Sequence, residues 1–294
     1  MRNAAREETM SDTQTMSVTP LDAPAGAKVT GVDLSQPLNH ENGEGILDAL
    51  AEHGVLVFPD QNLTPEQQVE FSRLFGEVEI NHNAARFGIE GSPEIYIISN
   101  VTKDGKPIGS SRAGEEWHSD MCYAKRPARA TMLYAVEVPT LHGMTLGDTA
   151  FANAAAAWDA LPDEMRDRIR DLRAVFDFTK RKRPYVPDAE TIAKYPPVDH
   201  PMVRRHPRTG RLGLYVMKVD STSVVGMEQE DARRLIDALS DHIIKPRFVY
   251  RHQWTPRDLV VWDNCTVQHK AIVDYDHPQR RLMWRTTIRG DVPV

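Results

Sequence analysis

Among eleven histidines, one opens a His-x-Asp triplet, His118-Ser119-Asp120. In an extended strand, residues two apart project from the same face. On such a strand the triplet would aim one imidazole and one carboxylate at a common point. A second histidine from a distant strand would complete a set of two imidazoles and one carboxylate. That facial set holds Fe(II) on one side and leaves the other positions open for oxygen chemistry. His269, shortly after Trp262-Asp263-Asn264, is the candidate third ligand. Composition alone yields about one His-x-Asp triplet in a chain of this kind, and a lone histidine is ordinarily a surface or satisfied core residue. Other metal signatures are missing: the sequence has no HExxH and no CxxC. Two cysteines, Cys122 and Cys265, are too few for a Cys₄ zinc site or a disulfide scaffold.

A second chemical signal lies in Arg280-Arg281-Leu282-Met283-Trp284-Arg285-Thr286-Thr287-Ile288. Strand alternation puts Arg281, Met283, Arg285 and Thr287 on one face. It puts Leu282, Trp284, Thr286 and Ile288 on the other, which is the more apolar and would pack against a helix or a second sheet. The first face sends two guanidiniums into a barrel mouth or into water. A solvated basic edge strand is the plain reading. The functional reading is a pair of carboxylate clamps, because arginine binds carboxylates bidentately. Four residues of strand separate the two by about 13 Å, a span suited to two anions rather than one.

These residues need elements to position them. Val55–Phe58 reads as a short buried strand closed by Pro59. Thr64-Pro65-Glu66-Gln67 offers an N-cap, a first-turn proline and a capping-box glutamine, so a helix should run to about Phe75 and stop at Gly76. Helices are also predicted over 153–161, 162–172 and 228–244, the last with Leu235, Ile236, Leu239 and Ile243 on one face. The C-terminal third carries strand signals at 248–254, 259–262 and 281–288. Helices outside short antiparallel strands indicate an α+β protein on a β-sandwich or barrel. Residues 1–17 are polar and lack the apolar stretch of a secretory signal, and read as a disordered tail of a cytoplasmic protein. No linker or repeat divides residues 18–294, which read as one domain. The net charge of −6 argues against nucleic acid or an anionic membrane as partner. The run Lys180-Arg181-Lys182-Arg183 reads as a solvated segment, with a lid that attracts an anionic substrate as the alternative.

The ordered motifs resemble one family. They are Gly26-Ala27 with Gly31-Val32-Asp33-Leu34, Phe75-Gly76-Glu77, Trp117-His118-Ser119-Asp120 and Gly147-Asp148-Thr149. Trp262-Asp263-Asn264, His269 and Arg281-x-x-x-Arg285 complete the series. From about Pro20 to the end, the chain resembles the Fe(II)/2-oxoglutarate-dependent dioxygenases of the taurine and phenoxyacetate dioxygenase type. The resemblance implies a double-stranded β-helix, that is, a jelly-roll, cupin-like core with flanking helices. It implies Fe(II), 2-oxoglutarate and O₂ as cofactors, with succinate and CO₂ as coproducts of hydroxylation. It carries His118, Asp120 and His269 over as catalytic iron ligands. Arg281, helped by Thr149, becomes the partner of the distal carboxylate of 2-oxoglutarate, and Arg285 the partner of the substrate's anionic group. The taurine enzyme contacts its sulfonate with His and Tyr in the loop after Phe-Gly-Glu. The aligned positions here are Asn81 and Ala84, with His82 one place off. Asn81 and His82 are therefore the candidate substrate contacts, and taurine is disfavoured. Ile98–Val101 with Asp104-Gly105-Lys106, and Phe248–His252, are closer to the phenoxyacetate enzymes. A small organic acid, aryloxyalkanoate-like, is the favoured substrate. Sulfonates, sulfate esters, N-acyl amino acids and a non-catalytic metal-binding module are the alternatives, and a homo-oligomer is left open.

Overall fold

The computed structural model describes residues 15–81, 84–180 and 186–294. Its main sheet has nine strands. Along one path they run Ser17–Pro20, Ala27–Thr30, Val55–Phe58, Leu259–Asp263, Ala128–Glu137, Leu282–Arg289, Ser92–Ser99 and Gly88–Ile89, and Val78–Glu79 pairs off this path with Leu282–Arg289. A smaller sheet, in the order Val249–His252, Thr149–Asn153, Val267–Ala271, lies across from it. Apolar residues of both sheets form one buried cluster between them, with Val57, Leu133, Val260 and Met283 from the first and Phe151 and Val267 from the second. This is a double-stranded β-helix, closed over a core of alternating inward side chains. Burying that face is what holds the antiparallel register.

Each outer surface carries its own helices. His40–His53 and Pro65–Ser72, with the turn that follows, cover the outside of the main sheet, burying Ile46, Leu50, Phe71 and Phe75 with Met132, Val261 and Ile288. Thr64 caps the second helix through a full capping box with Gln67, as the sequence indicates. The helix ends three residues early, and Arg73–Phe75 tightens into a 3₁₀ turn before Gly76, whose φ of 134° stops it. Ala154–Asp159 and Gln229–Ile243 pack with the Arg173–Phe176 sheet into a third cluster on the far side. Asp163–Ile169 is shorter at both ends than its periodicity suggests.

The Leu282–Arg289 strand bears out the alternation argument. Met283 joins the core between the sheets, whereas Trp284 and Ile288 pack outward under the helices. The Ser72 and Thr286 hydroxyls meet at 2.7 Å in that outer layer. One boundary differs from expectation: Ser17 is already strand, paired with Thr30, and Met16 and Val18 pack against the outer core. A polar average over 1–17 hides the apolar Met16. Residues 1–14 lie outside the described residues. Among the described residues no helix is long and apolar enough to cross a membrane.

Candidate metal centre and substrate cavity

His269 lies on the Val267–Ala271 strand, opposite Phe151 of Thr149–Asn153. His118 pairs with it as a single antiparallel bridge, the two backbones exchanging hydrogen bonds of 3.1 and 2.9 Å. A directly opposed pair projects its side chains to the same face, and the two rings stand 4.1 Å apart. The triplet is not on a regular strand as expected. It is extended only at His118 and then enters a turn in which Met121 takes a positive φ of 53°. What orients Asp120 is a set of distant contacts. Its backbone N–H donates to Asn264 Oδ1 at 3.1 Å. Its Oδ2 accepts from the Thr131 hydroxyl at 2.7 Å, and its Oδ1 from Arg285 Nη2 at 2.8 Å. Asn264 Nδ2 donates in turn to Thr131 Oγ1 at 3.0 Å.

Asp120 stands 3.6 Å from Nε2 of each histidine. All three residues are buried, and their ligand atoms lie within 4.8 Å of one another. His118 Nδ1 sits 2.7 Å from the Glu116 carbonyl. A carbonyl can only accept, so Nδ1 carries the proton and the Nε2 lone pair faces Asp120. Two imidazoles and one carboxylate converging from one side form a donor set that fits Fe(II) with open positions. Burial alone would raise the Asp120 pKa. The Arg285 guanidinium is the largest influence against burial, and the carboxyl is held well below its usual range.

Arg281 is also buried, at 3% exposure. Among the described residues no carboxylate lies within ion-pair distance of it, and its Nε has no hydrogen-bond partner. Burial pulls the guanidinium below its ordinary pKa, against the pull of Tyr275 and Asp274. Its backbone is locked: its N–H donates to Asn100 Oδ1 at 2.9 Å, and its carbonyl accepts from the Ser99 hydroxyl at 2.7 Å. A buried cation without a counter-ion fits an incoming carboxylate. Neighbouring Arg280 is exposed and binds Glu137 at 2.7 Å, so Arg281 is the inward member of the pair. Thr149 is buried, and its hydroxyl accepts from Trp254 Nε1 at 3.1 Å.

His118, Asp120 and Arg285 line a cavity of about 660 Å³ together with Asn81, Tyr96 and Tyr123. Sequence reasoning placed Arg285 toward a substrate anion. Arg285 lines the cavity, and one arm of its guanidinium is also held by Asp120, while Nη1 makes no hydrogen bond among the described residues. Asn81 reaches the cavity wall as expected. His82 lies outside the described residues, as do 181–183 of the basic run; Lys180 is exposed. The acidic wall residues are neutralised, Glu79 by Arg289 and Glu94 by Arg73 at 3.7 Å. Arg86, on the same wall, has no ion pair among the described residues and stacks on Phe87 at 4.8 Å. Sequence reading missed the Asn264–Thr131 clamp. The Trp262-Asp263-Asn264 motif was its only signal, and Thr131 had none.

The sequence matches the family model described as "Taurine catabolism dioxygenase TauD, TfdA family" over residues 17–287. It is 34% identical to an alpha-ketoglutarate-dependent 2,4-dichlorophenoxyacetate dioxygenase of Cupriavidus pinatubonensis, covering 94% of this chain and 98% of that one. It is 32% identical to a (S)-phenoxypropionate/alpha-ketoglutarate-dioxygenase of Sphingobium herbicidovorans, covering 93% of this chain and 95% of the relative. The crystal structure of AAD-2 in complex with Mn(II) and N-oxalylglycine superposes with a TM-score of 0.80 at 32% identity, over 95% of this chain and 98% of that one. With the fold, the histidine–carboxylate centre and these relatives in agreement, the chain belongs to the TauD/TfdA family of dioxygenases.

Proposed function

We propose that this single-domain protein is an Fe(II)- and 2-oxoglutarate-dependent dioxygenase that hydroxylates a small organic carboxylate of aryloxyalkanoate type. The observation that carries the reading is the convergence of His118, Asp120 and His269 on one point, with His118 and Asp120 opening onto the cavity, in a barrel that also buries Arg281 without a carboxylate partner among the described residues. His118, Asp120 and His269 would hold Fe(II), and Arg281 with Thr149 would receive the distal carboxylate of 2-oxoglutarate. When bound, the iron would activate O₂, one oxygen atom going into the oxidative decarboxylation of 2-oxoglutarate to succinate and CO₂ and the other into the substrate C–H bond. The chain's own part is to bind, orient and exclude water. Arg285 steadies Asp120 with one arm, and its Nη1, unbonded among the described residues, is available to the substrate anion beside Asn81. Arg86 adds positive charge at the wall. Tyr96, Phe87 and Tyr123 supply aromatic surface for a ring. The relatives that act on phenoxyalkanoates support the choice of substrate class.

A substrate panel read by succinate release and O₂ uptake tests this reading. Phenoxyacetates and phenoxypropionates should stimulate succinate formation well above the substrate-free rate. Stimulation by sulfate esters or sulfonates, with none by carboxylates, would refute the substrate class.

A further inference from the structure

Asp263 and its neighbours form a second buried group of metal-ligand type, His206, Asp263 and Cys265. Its donor atoms are already committed. His206 Nδ1 accepts backbone N–H groups from Arg208 and Thr209, at 3.2 and 3.0 Å. The ring proton is therefore on Nε2, which donates to Asp263 Oδ2 at 2.7 Å. Asp263 Oδ1 accepts the Cys265 N–H at 2.7 Å. Both imidazole nitrogens and both carboxylate oxygens are thus used in bonding within the protein. The arrangement is a brace rather than an open metal site.

The brace fixes a tight turn. The Thr266 N–H closes it on the Asp263 carbonyl at 3.1 Å, and the Asn264 N–H is tied to the Arg129 carbonyl at 2.8 Å. From this turn the Asn264 side chain reaches Asp120 N and Thr131 Oγ1. The Asn264 carbonyl accepts from the Ser119 hydroxyl at 3.0 Å. His206, Asp263, Asn264, Thr131 and Asp120 are all buried, so the hydrogen bonds are shielded from bulk solvent. A continuous path of hydrogen bonds, joined by the Asp263–Asn264 peptide link, runs from a hairpin turn at His206 to the carboxylate of the candidate metal centre.

We propose that His206 is a positioning residue for the metal centre: through Asp263 it fixes the turn whose Asn264 clamps Asp120. The inference rests on the reading of Asp120 as a ligand. Outer hydrogen-bond partners of metal ligands are each worth roughly 10- to 100-fold in metal affinity.

The test uses Co(II) as probe on the full-length protein, reading its dissociation constant and its visible d–d spectrum without turnover. Asn264→Ala should weaken Co(II) binding by about 10- to 100-fold. His206→Leu should weaken it by about 10-fold and alter the spectrum, and His206→Gln, which can still donate an N–H to Asp263, should recover most of that loss. In the Asn264→Ala background, His206→Leu should add less than about twofold, because the two act as one unit. A folded His206→Leu protein with unchanged affinity and spectrum would overturn the proposal, as would full additivity in the double variant. Thermal unfolding verifies the fold. If His206→Leu does not fold, Asp263→Asn carries the same comparison, since it removes the charge that receives the imidazole N–H. Asp120→Ala tests the underlying reading separately: unchanged Co(II) binding there would refute the ligand assignment, whatever His206 does.

Discussion

Asp120 gathers most of the electrostatics of the site. It is buried between two imidazoles and one guanidinium, and it accepts a hydrogen bond from the Thr131 hydroxyl. Removing it or His118 leaves the centre short of a ligand. Asp120→Ala and His118→Ala are expected to lower Fe(II)-dependent succinate formation by at least about 100-fold, as read by a succinate assay under saturating 2-oxoglutarate. The two arginines should separate. Arg281→Ala should mainly raise the KM for 2-oxoglutarate. Arg285→Ala should raise the substrate KM and, because Nη2 holds Asp120, also weaken metal binding. Steady-state kinetics with metal titration distinguishes them, and the reverse pattern would exchange the roles. The types and order of these residues were legible in the sequence. The double commitment of Arg285 was not, because it depends on a contact with Asp120 across 165 positions.

At the scale of elements, local chemistry was readable and non-local placement was not. The capping box at Thr64–Gln67, the Val55–Phe58 strand and the two faces of Leu282–Arg289 follow from short-range pattern. The extended residue at His118 does not, since its geometry comes from pairing with His269 and from the Asn264 clamp. The Gly147-Asp148-Thr149 turn shows why one glycine matters. Gly147 has φ +76°, and a Cβ there would lie 3.1 Å from Arg281 Cδ and Nε. Gly147→Ala is therefore expected to raise the KM for 2-oxoglutarate by about 10-fold or more by displacing Arg281. Gly143→Ala is the control. It has φ +78° but open space around it, so it should cost about 1 kcal/mol of stability and leave that KM unchanged. Equal effects of both on the 2-oxoglutarate KM would show that the crowding is not what matters.

The whole molecule adds a pH dependence that no motif announces. His200 lies in the third core, its Nε2 3.0 Å from the Ala124 carbonyl and its ring beside Phe176 and Tyr215. Burial, with the charges of Arg204 and Arg173, lowers its pKa from 6.5 to about 4, against the pull of the Ala124 carbonyl and Asp199. The unfolded chain therefore takes up this proton first as pH falls. Stability from this group is complete above 6.5 and is lost as pH drops toward 4, by an amount of at most about 3 kcal/mol. Denaturant unfolding at pH 7 and pH 4.5 should show the loss, and His200→Gln should flatten it. An unchanged slope in that variant would place the titration elsewhere. The three cores around one barrel also explain why composition alone said little: a net charge of −6 hides an interior that concentrates positive charge at Arg281 and Arg285.

His118, Asp120 and His269 are expected to hold the iron that takes up 2-oxoglutarate. This assignment is tested most directly by the absorption spectrum of the anaerobic protein with Fe(II) and 2-oxoglutarate. The expected result is a weak visible charge-transfer band in the wild-type protein, which disappears in Asp120→Ala and His118→Ala while both remain folded. Absence of the band in the wild-type protein, or its persistence in either variant, would show that these three residues do not hold such an iron.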